Sequence, residues 1–429
     1  MIMAKTDFKQ TEIGELPEGW ELTPLRELAV VNDKTIDKSF TFNELEYIDI
    51  ASVDKGRILE RKKIQRNEAP SRAQRICRDN DILLSTVRPN LKHFAFLNES
   101  KPNTIASTGF AVISAQKIVP RFLYHYLTTD KYTDFLSAIA DAHTSTYPAF
   151  NPDVLENSLI PVPPEPEQRA IAKILSDLDD KIELNHRMNK TLESIAQAVF
   201  KRWFVDFEFP GYEKTKFIDG LPEGWAEVKL GDFAEILNGF AFKSKDFMSS
   251  GVFLLRTKNF TENGYIMRDD TACLPENFYD EYKGFRLKTF DVLLVMVGAS
   301  VGKMAIVQSS VLPALQNQNM WNFRSKSGSG QLFLNFLVKK IVQENMGTAS
   351  GSARDFFRKD YFRSIDFILP TEGVLKEFDK QVSPIFDQID KNLTEIQILS
   401  QIRDSLLPRL MSGTIRAGRK TSCAIERAG

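Results

Sequence analysis

The sequence predicts an α+β protein made of two tandem mixed α/β domains, each handing over to one long helix, and three observations predict it. The string LPEGW stands at Leu16–Trp20 and again at Leu221–Trp225, and an echo over such a distance marks a duplicated unit. DILLSTV from Asp81 is matched by DVLLVMV from Asp291, and short runs rich in Leu and Val read as buried strands. Both halves also close alike. NPDVLENSLIPVPP ends near Pro163, RKDYFRSIDFILP ends at Pro370, and a long stretch of helical periodicity follows each proline.

Each element follows from its residues. After the first LPEGW comes ELTPLREL and after the second AEVKLGDF, an extended segment running into a short turn or helix. Behind Pro163, steps of four and three pick out Ile171, Leu175, Leu178, Ile182, Asn185, Asn189, Leu192, Ala196, Val199 and Trp203. Behind Pro370 they pick out Leu375, Phe378, Val382, Ile385, Ile389, Asn392, Ile396, Leu399, Arg403, Leu406 and Leu410. Such a stripe is a seam for another helix. Asn185, Asn189 and Asn392 either lie in that seam and fix its register or turn to solvent. Pro384 either kinks the second helix or marks its start. DFEFPGYEKTKFIDG from Asp206 mixes Pro, Gly and charge without periodicity and reads as a linker. The expected division is therefore a domain over 16–165, a helix over 166–205, a linker over 206–220, a domain over 221–371 and a helix over 372–412.

Composition narrows the function. A chain of 429 residues with 42% hydrophobic and 26% charged residues has ordinary globular make-up. The balance of 56 Lys and Arg against 57 Asp and Glu means that any surface for a polyanion must be local. VLLVMVGA from Val292 is far shorter than the roughly 20 apolar residues that span a bilayer, and the opening residues lack the apolar run of a signal peptide. Three cysteines, Cys77, Cys273 and Cys423, are widely separated with no CxxC pair, against a disulfide framework or zinc site. Four scattered histidines show no ligand spacing. A cytoplasmic location fits.

Catalytic signatures are absent. GASVGKM from Gly298 resembles a phosphate loop, but that motif needs four residues between its glycines and a hydroxyl after the lysine, and here Met304 takes that place. NPD at Asn151–Asp153 lacks the aromatic-bearing NPP[YF] pattern of an amino-methyltransferase, no glycine-rich cofactor loop follows an early strand, and GxSxG is missing. No residue is assigned a catalytic or metal-binding role.

Binding signatures are present. From Lys55 to Lys92 there are eleven basic residues against four acidic ones, with arginine dominant; its planar fork matches phosphate oxygens and the acceptor edge of guanine. A weaker basic excess runs from Arg324 to Arg363. The segments AHTSTYPAF from Ala142 and GTASGSARDF from Gly347 are rich in small hydroxyl residues that suit close approach to a sugar-phosphate strand and equally suit plain turns. Charge and loop placement nominate Arg72, Arg75, Arg88, Lys92, Ser145 and Thr146 in the first half as DNA-facing. In the second half they nominate Lys243, Lys258, Lys303, Ser350, Ser352 and Arg354.

TDFKQTEIGELPEGW, DGLPEGWAEVKLGDFAEILNGFAFKS, IPVPPEPEQRAIAKIL and SLLPRLMSGTI together resemble the specificity subunit of type I restriction-modification systems, in order and over nearly the whole chain. The resemblance implies two target-recognition domains separated by two long antiparallel coiled-coil-like helices with pseudo-twofold internal repetition. Each domain would read one half of a bipartite site in double-stranded DNA, the half-sites differing because the halves differ. It implies a non-catalytic subunit whose helices act as a spacer and bind two methyltransferase (modification) subunits, with restriction/translocase subunits joining. S-adenosylmethionine, ATP and Mg would then sit on partners, none on this chain. LPEGW would pin each incoming chain onto its core through Leu and Trp.

Overall fold

The computed structural model describes residues 7–143, 148–268, 271–298, 300–348 and 358–418. The chain divides into two compact units: Met1–Leu184 with Ile396–Gly429, and Asn185–Glu395.

Unit one carries β1 (Ala29–Val31), β2 (Glu44–Ile48), β3 (Lys62–Gln65), β4 (Ala73–Ile76), β5 (Ile82–Ser85), β6 (Phe94–Phe96), β7 (Thr104–Ser107) and β8 (Phe110–Ala115). One four-stranded sheet has the order β6-β5-β8-β1 and a second β3-β2-β7-β4, with β2 and β7 parallel. Every residue of β5 is buried, which is why Ile82–Leu84 reads as an unbroken apolar run. Successive side chains on a strand point to opposite faces. Ile82 and Leu84 therefore meet Phe122 and Leu123 of helix α1 (Pro120–Leu127), while Leu83 packs with Ile48, Val53 and Ala106 on the other face. Helix α2 (Asp130–His143) follows.

Unit two repeats the plan with β9 (Ala234–Asn238), β10 (Val252–Leu255), β11 (Ala272–Leu274), β12 (Val292–Val295), β13 (Met304–Ile306), β14 (Ala314–Gln316) and β15 (Met320–Ser325). Its first sheet runs β13-β12-β15-β9, the same order as in unit one, and its second runs β11-β10-β14 with β10 and β14 parallel. The alternation recurs: Val292 and Leu294 share a core with Leu332, Phe333 and Phe336, and Leu293 and Val295 share another with Phe253 and Leu255. Among the described residues, the second sheet lacks a counterpart of β4 beyond the single bridge Arg286–Leu315.

LPEGW does the same work in both units. Its Leu–Pro pair ends a short hairpin, Phe8–Thr11 with Gly14–Pro17 in one and Phe217–Ile218 with Leu221–Pro222 in the other. Gly19 and Gly224 both take φ of 85°, a left-handed value that glycine adopts without a Cβ clash, and the turn closes as Trp20 N–H and Trp225 N–H donate to the Pro17 and Pro222 carbonyls. Each tryptophan is then buried. Trp20 joins Ile171, Leu175, Leu410 and Met411, and its Nε1 donates to Glu167 at 3.2 Å. Arg416 grips the same carboxylate with two bonds of 2.6 Å. Trp225 instead stacks on Phe209 at 5.2 Å and meets Phe207 and Phe204 edge-on or tilted.

Helix α3 (Glu165–Phe204) and helix α5 (Glu372–Met411) have 40 residues each, about 60 Å at 1.5 Å per residue; a shorter helix, α4 (Gln331–Thr348), precedes α5 in unit two. α3 and α5 run antiparallel. In unit one Asp179 pairs with Arg403 at 2.9 Å. In unit two Asn189 accepts from Asn392 at 2.7 Å, Asn185 donates to Glu395 at 2.8 Å, and Trp203 meets Phe378. Asn185, Asn189 and Asn392 are all buried, so they occupy the seam. α5 starts well before Pro384 and runs through it without a break.

Two stability predictions follow from these groups. The Asn189 side-chain nitrogen is buried without an acceptor, so replacing both Asn189 and Asn392 with Leu is expected to raise the unfolding midpoint. Asn392→Leu alone, which strands Asn189, is expected to cost about 1–3 kcal/mol; thermal denaturation distinguishes the two variants. The second concerns His125, which burial first, and then Arg121 and Arg403, push down to about 3. It stays neutral 3.8 Å from Asp179, whose carboxylate Arg403 already engages. The unfolded chain takes up the proton near 6.5 and the folded chain does not, so this contribution falls by about 1.4 kcal/mol per pH unit below pH 6.5. Denaturant melts between pH 7 and pH 5 are expected to show a shallower loss for His125→Gln than for the parent chain.

Candidate nucleic-acid interface

The first sheets of both units end in one hairpin, and the match is residue for residue. Ile82 pairs with Phe96 as Val292 pairs with Ile306, and Leu84 with Ala111 as Leu294 with Trp321. The intervening loops, Thr86–His93 and Met296–Lys303, therefore have equal length. At the foot of each, a buried aspartate caps the turn before the strand: Asp81 accepts from Arg78 N–H at 2.7 Å and Asp291 from Lys288 N–H at 2.8 Å. Burial raises the Asp81 carboxyl above its ordinary range even though Ser114 donates to it at 2.6 Å. The loop root is tied alike too, with Thr86 N–H donating to the Gly109 carbonyl and Met296 N–H to that of Asn319.

Between these matched strands the side chains differ where the chain turns left-handed. Arg88 (φ 48°, ψ 61°) and Lys92 (φ 58°, ψ 38°) hold αL geometry in unit one. The equivalent Gly298 and Gly302 have φ of 85° and 87°. For a residue with a Cβ, that conformation costs roughly 1–2 kcal/mol. A Cβ on Gly298 would meet nothing within 4 Å, so the glycine answers to backbone conformation and not to crowding.

Hydrogen bonds gather several nominated residues beside the first loop. The Arg72 carbonyl accepts from Thr108 N–H at 2.8 Å, Gly109 receives Thr86, and Arg88 N–H donates to the Pro148 carbonyl at 2.7 Å. Arg72 and Arg88 are exposed. Lys92 is half-buried and pairs with the open carboxylate of Asp130 at 2.6 Å. Arg75 lies on the edge strand β4, half-buried, with Nη1 3.5 Å from Thr35 Oγ1 and a buried Nε without a partner. In unit two, Lys303 is at the end of the matching loop and forms an ion pair with Glu262. Lys258 is exposed at the head of the segment that carries Glu262, and Lys243 is exposed beside the turn Ser244–Asp246. Ser145, Thr146, Ser350, Ser352 and Arg354 lie outside the described residues.

Much of the basic excess is spoken for. Arg61 and Lys101 bind Glu46, Lys62 binds Asp49, Arg78 binds Asp33 and Arg57 binds Glu183. Arg66 donates to the Phe40 and Asp37 carbonyls. In the second half Arg324 grips buried Asp291, Lys326 bonds the Gly231 carbonyl and Lys359 that of Ile236. Net charge along the sequence therefore overstates the positive charge left uncompensated by nearby groups. Sequence reasoning also passed over the loop tips, where Leu91 and Val297 are 45% and 49% exposed; carrying the match of DILLSTV and DVLLVMV one residue further would have set Arg88 against Gly298.

Against known proteins, the family model described as the type I restriction modification DNA specificity domain matches residues 17–194 and 222–404. The chain belongs to the type I restriction-modification DNA specificity family. It is 26% identical to the type I restriction enzyme MjaIX specificity subunit of Methanocaldococcus jannaschii, over 96% of this chain and 97% of that one. It is 25% identical to the HindI specificity subunit of Haemophilus influenzae, over 89% and 97%. The crystal structure of the type I restriction-modification S subunit from M. genitalium shares the fold with a TM-score of 0.56 at 14% identity, over 94% and 97% of the two chains. In this DNA-specificity chain, no group of His, Cys, Asp or Glu among the described residues would hold a metal ion, and none of its described helices is long and apolar enough to cross a membrane.

Asp130 holds the Lys92 ammonium beside an exposed negative charge, which weakens its pull on a phosphate. Asp130→Asn is therefore expected to tighten binding to duplex DNA of arbitrary sequence roughly two- to fivefold at low salt, the gain fading as salt screens it. Fluorescence anisotropy across a salt series measures both effects.

Proposed function

We propose that the chain is the DNA-recognition subunit of a type I restriction-modification complex, with no catalysis of its own. One observation carries this reading: a single fold occurs twice with different side chains at matched loop positions, and the two copies are joined by two 40-residue helices. Equal backbones present equal geometry to DNA, and unequal side chains read unequal bases. Each unit then reads one half of an asymmetric bipartite site, and the helices set the gap between the halves.

The helices also dock two modification subunits. Supporting this, apolar side chains remain exposed on them: Ile174, Leu184, Ile398 and Ile402 in unit one, Met188 and Ile195 in unit two, and exposed apolar stripes of this type mark protein contacts. S-adenosylmethionine, with its target-adenine chemistry, belongs to those subunits, and ATP and Mg to the restriction/translocase subunits that join them. This chain binds no cofactor and works in the cytoplasm beside the DNA it reads.

Four-residue insertions at matching levels, after Asn189 and before Asn392, would lengthen the paired helices by about 6 Å, near two base-pair steps of about 3.4 Å. Modified-base sequencing of DNA methylated by the reconstituted complex is expected to show the same half-sites about two base pairs further apart. An unchanged gap would remove the helices as the ruler.

A further inference from the structure

We infer that the loop Thr86–His93 is the base-reading element of unit one, with Arg88 reading the paired acceptors of a guanine in the major groove and Lys92 holding a backbone phosphate. The inference rests on the proposed function and goes beyond it by naming the element, the residue and the base class.

Three observations converge on this loop. In unit two the flanking strands pair in the same register, the loop has equal length and the root bond recurs, so its placement and its left-handed steps belong to the common fold. At the two left-handed positions of that shape unit two has Gly298 and Gly302, the residues that adopt it without strain, whereas unit one has Arg88 and Lys92. A long cationic side chain kept where glycine is the relaxed choice is strain retained at a working position. Finally, each loop exposes one large aliphatic side chain, Leu91 in the first and Val297 in the second. An open aliphatic beside a guanidinium suits the floor of a major groove, where a thymine methyl offers apolar contact next to the acceptors of guanine.

The rim around the loop supports the assignment. Arg72, Thr108, Thr86 and Arg88 are linked through backbone bonds into one edge, and Pro89–Leu91 forms a 3-10 turn that stiffens the tip. The Arg88 backbone N–H is held by the Pro148 carbonyl, so its side chain starts from a fixed backbone. A rigid base is what bidentate readout requires. In unit two the same loop carries glycine at that place, so its half-site is read without this arginine.

The test uses the full chain with its modification subunits on genomic DNA lacking prior methylation, read by modified-base sequencing, with Arg88→Gly, Arg88→Lys and Lys92→Gly. Failure of the parent complex to yield a two-part methylated motif would remove the proposed function itself, whatever the variants do. Given that motif, Arg88→Gly is expected to reduce discrimination at one guanine-containing position of one half-site roughly tenfold or more, leaving the other half-site intact. Its unfolding midpoint is expected to stay level or rise, because the strain is relieved. Arg88→Lys is expected to lose the same discrimination, since an ammonium cannot make the fork. Lys92→Gly is expected to weaken binding evenly over sequences and to lower the salt slope by about one. An unaltered motif for Arg88→Gly, an even loss across all sequences, or a lowered unfolding midpoint would overturn the assignment.

Discussion

The structure depends on the burial of one tryptophan per unit against the ends of the long helices. Trp20 and Trp225 each follow a proline and a left-handed glycine that reverse the chain, so the indole is delivered to the core at a set angle. Around Trp20, Glu167 from the start of α3 and Arg416 from beyond the end of α5 form a buried ion pair with three charge-assisted or indole bonds. Removing either partner would leave an uncompensated charge in an apolar setting, which is far costlier than losing a surface pair. Around Trp225 the same seat is lined by Phe204, Phe207 and Phe209. The position is equivalent, and the chemistry that fills it is not.

That contrast runs through the whole molecule. The fold repeats at the level of backbone: strand order, a parallel pair in the second sheet, a buried aspartate at the foot of the first hairpin, and left-handed residues at the same loop steps. Side chains at those steps are free to differ because the backbone is held by bonds that do not involve them. A scaffold of this type lets each copy present its own chemistry from the same geometry, which is what a DNA-specificity protein with two unlike readers requires.

Electrostatics follows the same division. A count of charges along 55–92 finds a strong basic excess, yet the fold uses five of those eleven cations to neutralise Glu46, Asp49, Asp33 and Glu183 or to cap carbonyls, and pairs a sixth, Lys92, with Asp130. Arg72 and Arg88 stand out because they are exposed on one rim, and Lys92 because its partner is an open aspartate. Paired cations add little long-range field, so the surface that attracts a polyanion is narrower than the sequence suggests.

The sequence by itself determined the duplication, the mixed α+β class, the buried strands at Ile82 and Val292, the two helices with their seams, and the family. Each of these is a local or periodic signal: a repeated string, an apolar run, a heptad. Tertiary structure alone decided that Asn185, Asn189 and Asn392 face inward, because a stripe of 3.5-residue period does not say whether a polar member finds a partner across the seam. It alone decided which cations are consumed, because Lys101 and Glu46, or Arg57 and Glu183, meet from segments distant in the chain. It alone grouped the start of α3 with the end of α5 in one unit, since packing follows contact and not chain order. The candidate site was legible only in part for the same reason. Arg72, Arg88 and Lys92 were nominated by charge, but the rim that joins Arg72 and Arg88 exists only once Thr108, Gly109 and Pro148 are brought beside the loop by long-range hydrogen bonds.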